Sequence, residues 1–140
     1  MKRLNVMLLG AHINSSNLGC QALTYSLVHI LELISSENGI PMDYYVFEYQ
    51  PDPIRTKYFI EKTGLKDNNL YSYKFPFVVT LKNKIRNVNS ILQILKVLKK
   101  TDIAIDVTAG DSFADIYGDE RFLATTKIKR IVEKKGIPLL

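Results

Sequence analysis

The stretch "LNVMLLGAHINSSNLGCQAL", residues 4–23, joins an apolar run to a helical pattern through a polar loop. The run at 4–9 is apolar almost throughout and predicts a strand buried on both faces, ended by Gly10. From about Cys20 to Ser35 the apolar residues recur three and four positions apart, which is the helical period. These residues are Leu23, Leu27, Ile30, Leu31 and Ile34. A buried strand followed by a loop and a helix is typical of a parallel sheet covered by helices.

The same alternation continues along the chain. Strands are predicted at 42–49, 102–107 and 137–140, and helices at 53–62, 88–99 and 119–135, while 70–80 fits either a strand or a loop that enters a helix. The predicted fold is therefore α/β, a Rossmann-like doubly wound parallel sheet formed by residues 1–140 as one domain. Because a buried strand is an unusual end for such a sheet, we expect this domain to be the N-terminal part of a larger protein.

Composition narrows the class of protein. The chain has 140 residues, 46% of them hydrophobic and 24% charged, which suits one globular domain. No uninterrupted apolar run approaches the roughly 18 residues of a membrane span. The net charge of +5 favours anionic partners, although no nucleic-acid-binding module is recognisable. A single cysteine is compatible with a reducing cytoplasm.

The loop at 10–23 is the first candidate for binding. Asn17 is a good helix N-cap, and Gly19 just before the helix could also present backbone N–H groups to a phosphate or carboxylate. Capping and ligand contact both remain open on the sequence. We interpret Cys20 as a small packing residue, and His29 as structural, whereas His12 could act as a ligand or an acid–base group. The spacing of the two histidines and the cysteine predicts no metal site.

The second candidate loop is "TAGDSFADIYGDERF", residues 108–122, which directly follows a predicted strand. Gly110 would let the backbone turn off that strand, which leaves Asp111 and Ser112 at its carboxyl end. One interpretation is that Asp111 or Ser112 caps a short turn and Asp119 caps the next helix. The favoured interpretation is that Asp111 lies at a catalytic crevice as a hydrogen-bond acceptor or general base for a hydroxyl-bearing substrate.

The two loops together resemble the polysaccharide pyruvyl transferase family. Members have a first loop of the form Asn-x-Gly-(Asp or Cys)-(Glu or Gln)-Ala, which here reads NLGCQA at 17–22. Their later strand ends in Asp and precedes Gly-Gly-Asp-Ser-Phe-x-Asp-x-Tyr-Gly, which here reads DVTAGDSFADIYG at 106–118. Ala109 stands where the family has its first glycine. The closing GIPLL at 136–140 resembles the strand that in relatives continues into Gln-Thr-x-Gly-Pro.

The resemblance implies a glycosyltransferase-B-like architecture of two domains, with this chain as the N-terminal, acceptor-side domain. The implied activity transfers a pyruvyl group from phosphoenolpyruvate to a cell-surface polysaccharide, with no cofactor and no metal. The implied catalytic residue is Asp111. The implied substrate-binding residues are Asn17, Gly19, Cys20, Gln21, Gly110, Ser112, Phe113 and Asp115. The donor is expected to bind mainly to Arg, Lys and His of the second domain, so the isolated chain is expected to be inactive.

The implied partners are phosphoenolpyruvate and a glycan acceptor, with a lipid-linked acceptor left open. The implied location is the cytoplasm, with contact at the inner face of the membrane also left open; no nucleic-acid partner is expected. Two other functions compete with this one. A nucleotide-sugar glycosyltransferase would use the first loop for a diphosphate, although that loop lacks a glycine-rich run. A non-catalytic binding domain could use the same scaffold, because fold alone does not determine function.

Overall fold

The computed structural model describes residues 2–48, 50–65, 69–75, 88–108 and 119–140, without the side chains of 119–125. Strands and helices alternate throughout these ranges. The strands are β1 (Leu4–Leu9), β2 (Met42–Glu48), β3 (Leu70–Lys74) and β4 (Ile103–Asp106). The helices are α1 (Leu18–Asn38), α2 (Pro53–Thr63), α3 (Val88–Lys100) and α4 (Asp119–Lys134). Of the ambiguous stretch at 70–80, the first five residues form a strand, and residues 76–80 lie outside the described residues.

The four strands form one parallel sheet in the order β3-β2-β1-β4. Beside β4, the end of the chain adds a parallel bridge between Ala104 and Leu139. The N–H of Leu140 donates to the carbonyl of Ala104 at 3.0 Å, and the N–H of Ala104 donates to the carbonyl of Pro138 at 2.9 Å. The α/β class and the parallel sheet are therefore confirmed, and residues 138–140 lie along the outer edge of β4 as a strand would.

Helices cover both faces of the sheet. Because successive side chains of a strand point to opposite faces, each strand contributes to two cores. On one face, Val6 and Leu8 of β1 pack with Val28 of α1 and Phe59 of α2. On the other face, the intervening residues of β1 pack with α3 and α4: this cluster contains Met7, Leu9, Ile94, Leu98, Ala104, Ile128 and Val132. The chain therefore winds first over one face and then over the other, as a doubly wound sheet does.

The buried face of α1 differs from the predicted one. Thr24, Val28 and Leu31 are buried, whereas Leu23 and Ile30 are 50% and 52% exposed. The helical period was predicted correctly. The helix is rotated about its axis relative to the prediction, so that Leu23, Ile30 and Ile34 of the apolar stripe lie beside the core and not in it. Thr24 can occupy the buried position because its hydroxyl donates to the carbonyl of Cys20 at 3.0 Å and accepts from the N–H of His12 at 2.9 Å. His29, interpreted as structural because it lies near the apolar stripe of the helix, is exposed.

By length and composition alone, α1 could also cross a membrane, with a mean hydropathy of 1.2 over its most apolar window. A helix packed on the core of a globular domain meets the same criterion.

Two local signals fix the ends of α1. Asn17 caps its start, and Gly39 ends it in the left-handed conformation at φ 64°. The helix thus begins two residues before the predicted Cys20.

Candidate functional site

The candidate site lies beyond the carboxyl ends of β1 and β4, which are neighbours in the sheet. After β1 the chain passes to α1 on one face, and after β4 it reaches α4 on the opposite face. Open α/β sheets bind their ligands at such a switch point, because the two diverging connections leave a crevice above the strand ends. Both loops selected from the sequence begin at these strand ends.

Gly10 and Thr108 bring the roots of the two loops into contact. Gly10 has a φ of +68°, which disfavours any residue with a side chain. A Cβ atom on Gly10 would lie 2.6 Å from the Cα and 2.7 Å from the N of Thr108. Backbone atoms cannot yield to such a contact, so glycine is required at this position for conformation and for space. The first loop and the start of the second therefore share one packed corner.

Glu48, the last residue of β2, holds the first loop in place. It is 3% exposed. Its Oε1 accepts from the backbone N–H groups of Ile13 at 2.7 Å and Asn14 at 2.8 Å. Its Oε2 accepts from the side-chain Nδ2 of Asn14 and from the hydroxyl of Ser72, both at 2.9 Å. The sheet thus provides a buried acceptor under the loop from the strand next to β1.

Asn17 caps α1, as the first of its two sequence interpretations predicts. Its Oδ1 accepts from the N–H groups of Gly19 at 2.9 Å and Cys20 at 3.3 Å. The backbone N–H of Gln21 donates to the carbonyl of Asn17 at 3.2 Å, and the Gln21 side chain donates to the carbonyl of Ser15. The capping role is observed, and ligand contact by these residues stays a prediction.

Asp106, the last residue of β4, holds the root of the second loop. Its Oδ1 accepts from the N–H of Thr108 at 2.9 Å and from the Thr108 hydroxyl. Its Oδ2 forms an ion pair with Lys129 of α4, whose side chain is largely buried. Burial raises the pKa of Asp106, but the hydrogen bonds from Lys129 and Thr108 and the charge of Lys129 outweigh it, so the pKa is lowered. The carboxylate thereby connects β4, the loop and α4.

Five of the predicted site residues fall in the second loop and lie outside the described residues: Gly110, Asp111, Ser112, Phe113 and Asp115. The structure brings together the root of that loop at Thr108 and the first loop at Gly10. The other predicted residues, Asn17, Gly19, Cys20 and Gln21, all lie at the start of α1. In the described ranges, no three His, Cys, Asp or Glu side chains are grouped as metal ligands would be.

Sequence reasoning missed three residues that organise this edge of the sheet: Glu48, Asn14 and Lys129. A glutamate that ends the aromatic and β-branched strand "MDYYVFE" is a weak signal of a buried carboxylate, since such strands are buried on both faces. Nothing in the helical pattern of α4 distinguishes Lys129 from its solvated neighbours. Comparison with protein-family models, with curated proteins and with solved structures gave no match.

Proposed function

We propose that this chain is the acceptor-side domain of a polysaccharide pyruvyl transferase of glycosyltransferase-B-like architecture. The observation that carries the proposal is the contact between Gly10 and Thr108, because it brings the roots of the two loops that resemble the family to one corner of the sheet. Ligands bind at this place in open α/β sheets. The motif at 106–118 is the more specific of the two, and its first three residues are fixed to the scaffold through Asp106.

The reaction joins two hydroxyl groups of a sugar to C2 of phosphoenolpyruvate. One hydroxyl adds to C2 while C3 takes up a proton and becomes a methyl group, and the second hydroxyl displaces phosphate to close the ketal. Each attacking oxygen loses its proton, and a carboxylate placed beside it raises its nucleophilicity. We assign this role to Asp111, with Ser112 and Asp115 as hydrogen-bonding residues for the sugar. The proton lost by the first hydroxyl balances the one that C3 takes up, and the proton of the second leaves with phosphate as the HPO₄²⁻ dianion, so charge and atoms balance.

The donor is assigned to a second domain. Phosphoenolpyruvate carries up to three negative charges and requires Arg, Lys or His side chains that converge on it. At the described carboxyl ends of the strands, the charged groups are the carboxylates of Glu48 and Asp106, the latter paired with Lys129, and Lys74 on β3, which β2 separates from β1. We therefore expect no product from these 140 residues alone, because one wall cannot position both substrates or exclude water.

The test is calorimetry and product analysis on this chain and on any longer form of its reading frame. The proposal predicts heat with phosphoenolpyruvate in the longer form, and phosphate release that depends on a glycan acceptor. Binding of a nucleotide sugar without heat from phosphoenolpyruvate would refute it in favour of a glycosyltransferase. Product from residues 1–140 alone would contradict the assignment of the donor to a second domain.

A further inference from the structure

We propose that Glu48 is a specificity-determining residue: its carboxylate fills the place of an anionic ligand under the first loop, so that this wall excludes phosphate and accepts a neutral, hydroxyl-bearing sugar. The inference rests on the proposed function only in naming that neutral ligand as the glycan acceptor. That Glu48 excludes anions is inferred only from the hydrogen bonds of the described residues.

Two consecutive backbone N–H groups that point at one oxygen form a typical anion-binding arrangement in proteins. Ile13 and Asn14 make this arrangement, and Oε1 of Glu48 lies at its centre at 2.7 and 2.8 Å. A phosphate oxygen would need the same position. The Glu48 carboxylate therefore occupies the two backbone N–H groups that could otherwise bind a phosphate of a nucleotide or of phosphoenolpyruvate.

Both oxygens of Glu48 act as acceptors, which is the hydrogen-bonding pattern of an ionised carboxylate. The described ion pairs join Lys2, Arg3, Arg55 and Lys129 to aspartates, and none of them includes Glu48. Its charge is thus stabilised by neutral donors within the described part of the chain. In the low dielectric of the protein interior, such a charge repels a second anion strongly.

Two further backbone donors beside the loop are also used within the protein. The first N–H groups of α1, at Gly19 and Cys20, point to Oδ1 of Asn17. The amide of Asn14 has a fixed orientation, because its Nδ2 faces two acceptors, Oε2 of Glu48 and the carbonyl of Gln50. The Oδ1 of Asn14 is left buried without a hydrogen-bond partner in the described structure. The Asn14 amide nitrogen is thus used within the protein and is not directed at an anion beside Glu48.

The experiment removes the Glu48 carboxylate and tests whether a small anion binds in its place. In Glu48→Ala, the N–H groups of Ile13 and Asn14 face the cavity that the carboxylate occupied. Formate and inorganic phosphate are titrated at constant ionic strength into the native chain, Glu48→Ala and Glu48→Gln. Backbone amide shifts of Ile13 and Asn14 and the thermal midpoint are recorded. Glu37→Ala, which removes an exposed glutamate of α1, controls for total charge.

Formate should shift these two amides of Glu48→Ala in a saturable way and raise its thermal midpoint, with a dissociation constant at least about tenfold below that of the native chain. Glu48→Gln keeps the position filled and should not be rescued, and Glu37→Ala should behave like the native chain. If Glu48→Ala does not fold without an anion, its folding in formate is the expected result. Saturable phosphate binding at Ile13 and Asn14 of the native chain would overturn the inference, as would equal responses of native chain and Glu48→Ala. Because no transfer reaction is measured, failure of the proposed function leaves this result interpretable.

Discussion

The sheet has carboxylates that accept backbone N–H groups at the amino ends of its strands (the amino edge) and at their carboxyl ends (the carboxyl edge). The surroundings of these carboxylates differ between the two. At the amino edge, Asp102 accepts from the backbone and side-chain nitrogens of Asn5 at 2.9 Å and pairs with Lys2, which is 86% exposed. At the carboxyl edge, Glu48 is almost fully buried and holds a loop rather than a strand end. The amino edge thus has one exposed ion pair, Lys2–Asp102, and one part-buried pair, Arg3–Asp43, whereas the carboxylates of the carboxyl edge fix two loops.

This difference makes the two edges unequal in their contribution to stability. Exposed ion pairs contribute little to the free energy of unfolding, because solvent already stabilises both charges. A buried carboxylate with a full set of donors is costly to remove, and it persists where a loop must keep one conformation. The carboxyl edge is therefore where substitutions should alter both stability and ligand binding.

The largest effect is expected from Glu48→Ala. Four hydrogen bonds lose their acceptor, at about 1 kcal/mol each, so the free energy of unfolding should fall by about 4 kcal/mol. Urea unfolding in a buffer without small carboxylates measures this. The exposed Glu37→Ala should change it by less than about 0.5 kcal/mol. Equal effects of the two substitutions would mean that the carboxylate does not fix the loop.

Gly10→Ala should follow, with a loss of about 3 kcal/mol. The cost combines a positive φ with a Cβ that collides with the backbone of Thr108. Gly39→Ala is the matched control, because Gly39 has a φ of +64° and no atom within 4 Å of the added Cβ. It should cost only about 1 kcal/mol. If both glycines cost the same in urea unfolding, the two loop roots do not meet as described.

A smaller effect is expected from Asp106→Asn, and it should depend on pH. The folded-state pKa of Asp106 is lowered, so its contribution to stability is present above the unfolded value of about 3.9 and is lost as the pH falls through the folded value. The difference in unfolding free energy between native chain and variant should therefore shrink as the pH falls below about 3.9. A constant difference across this range would show that ionisation of Asp106 adds nothing.

The smallest effect is expected at the amino edge. Lys2→Ala removes an exposed ion pair with an N–O distance of 3.4 Å. The loss should be under about 0.5 kcal/mol in dilute buffer and should vanish in about 1 M salt, where charges are screened within about 3 Å. A loss comparable to that of Glu48→Ala would remove the contrast between the two edges.

The sequence was sufficient for features that depend on neighbours along the chain. The alternation of strands and helices and the cap at Asn17 both follow from local spacing and backbone chemistry. The rotation of α1 was not predictable, because it depends on a hydroxyl of Thr24 that finds partners only in the folded chain. Hydrophobicity alone favours Leu23 over Thr24 for the core.

The supporting residues of the site were hidden for a related reason. Glu48 and Asn14 meet only because β1 and β2 are neighbours in the sheet, and Lys129 reaches Asp106 only because α4 packs back on β4. Spacing along one sequence contains no signal for such pairs. Resemblance could point to the loops and to Asp106, because their motifs are contiguous, but not to Glu48, Asn14 or Lys129.

The most direct test of the account is the rate of pyruvyl transfer in the longest form of the reading frame that carries out the reaction, with either Asp111 or Asp43 changed. Asp111→Asn changes the proposed catalytic base and should lower kcat by about 100-fold or more, because the attacking hydroxyl would lose the group that takes up its proton. Asp43→Asn, at the amino edge, should leave kcat within about twofold, because Asp43 pairs with Arg3 far from the crevice. An unchanged kcat in Asp111→Asn, or equal losses in both variants, would contradict a catalytic carboxyl edge.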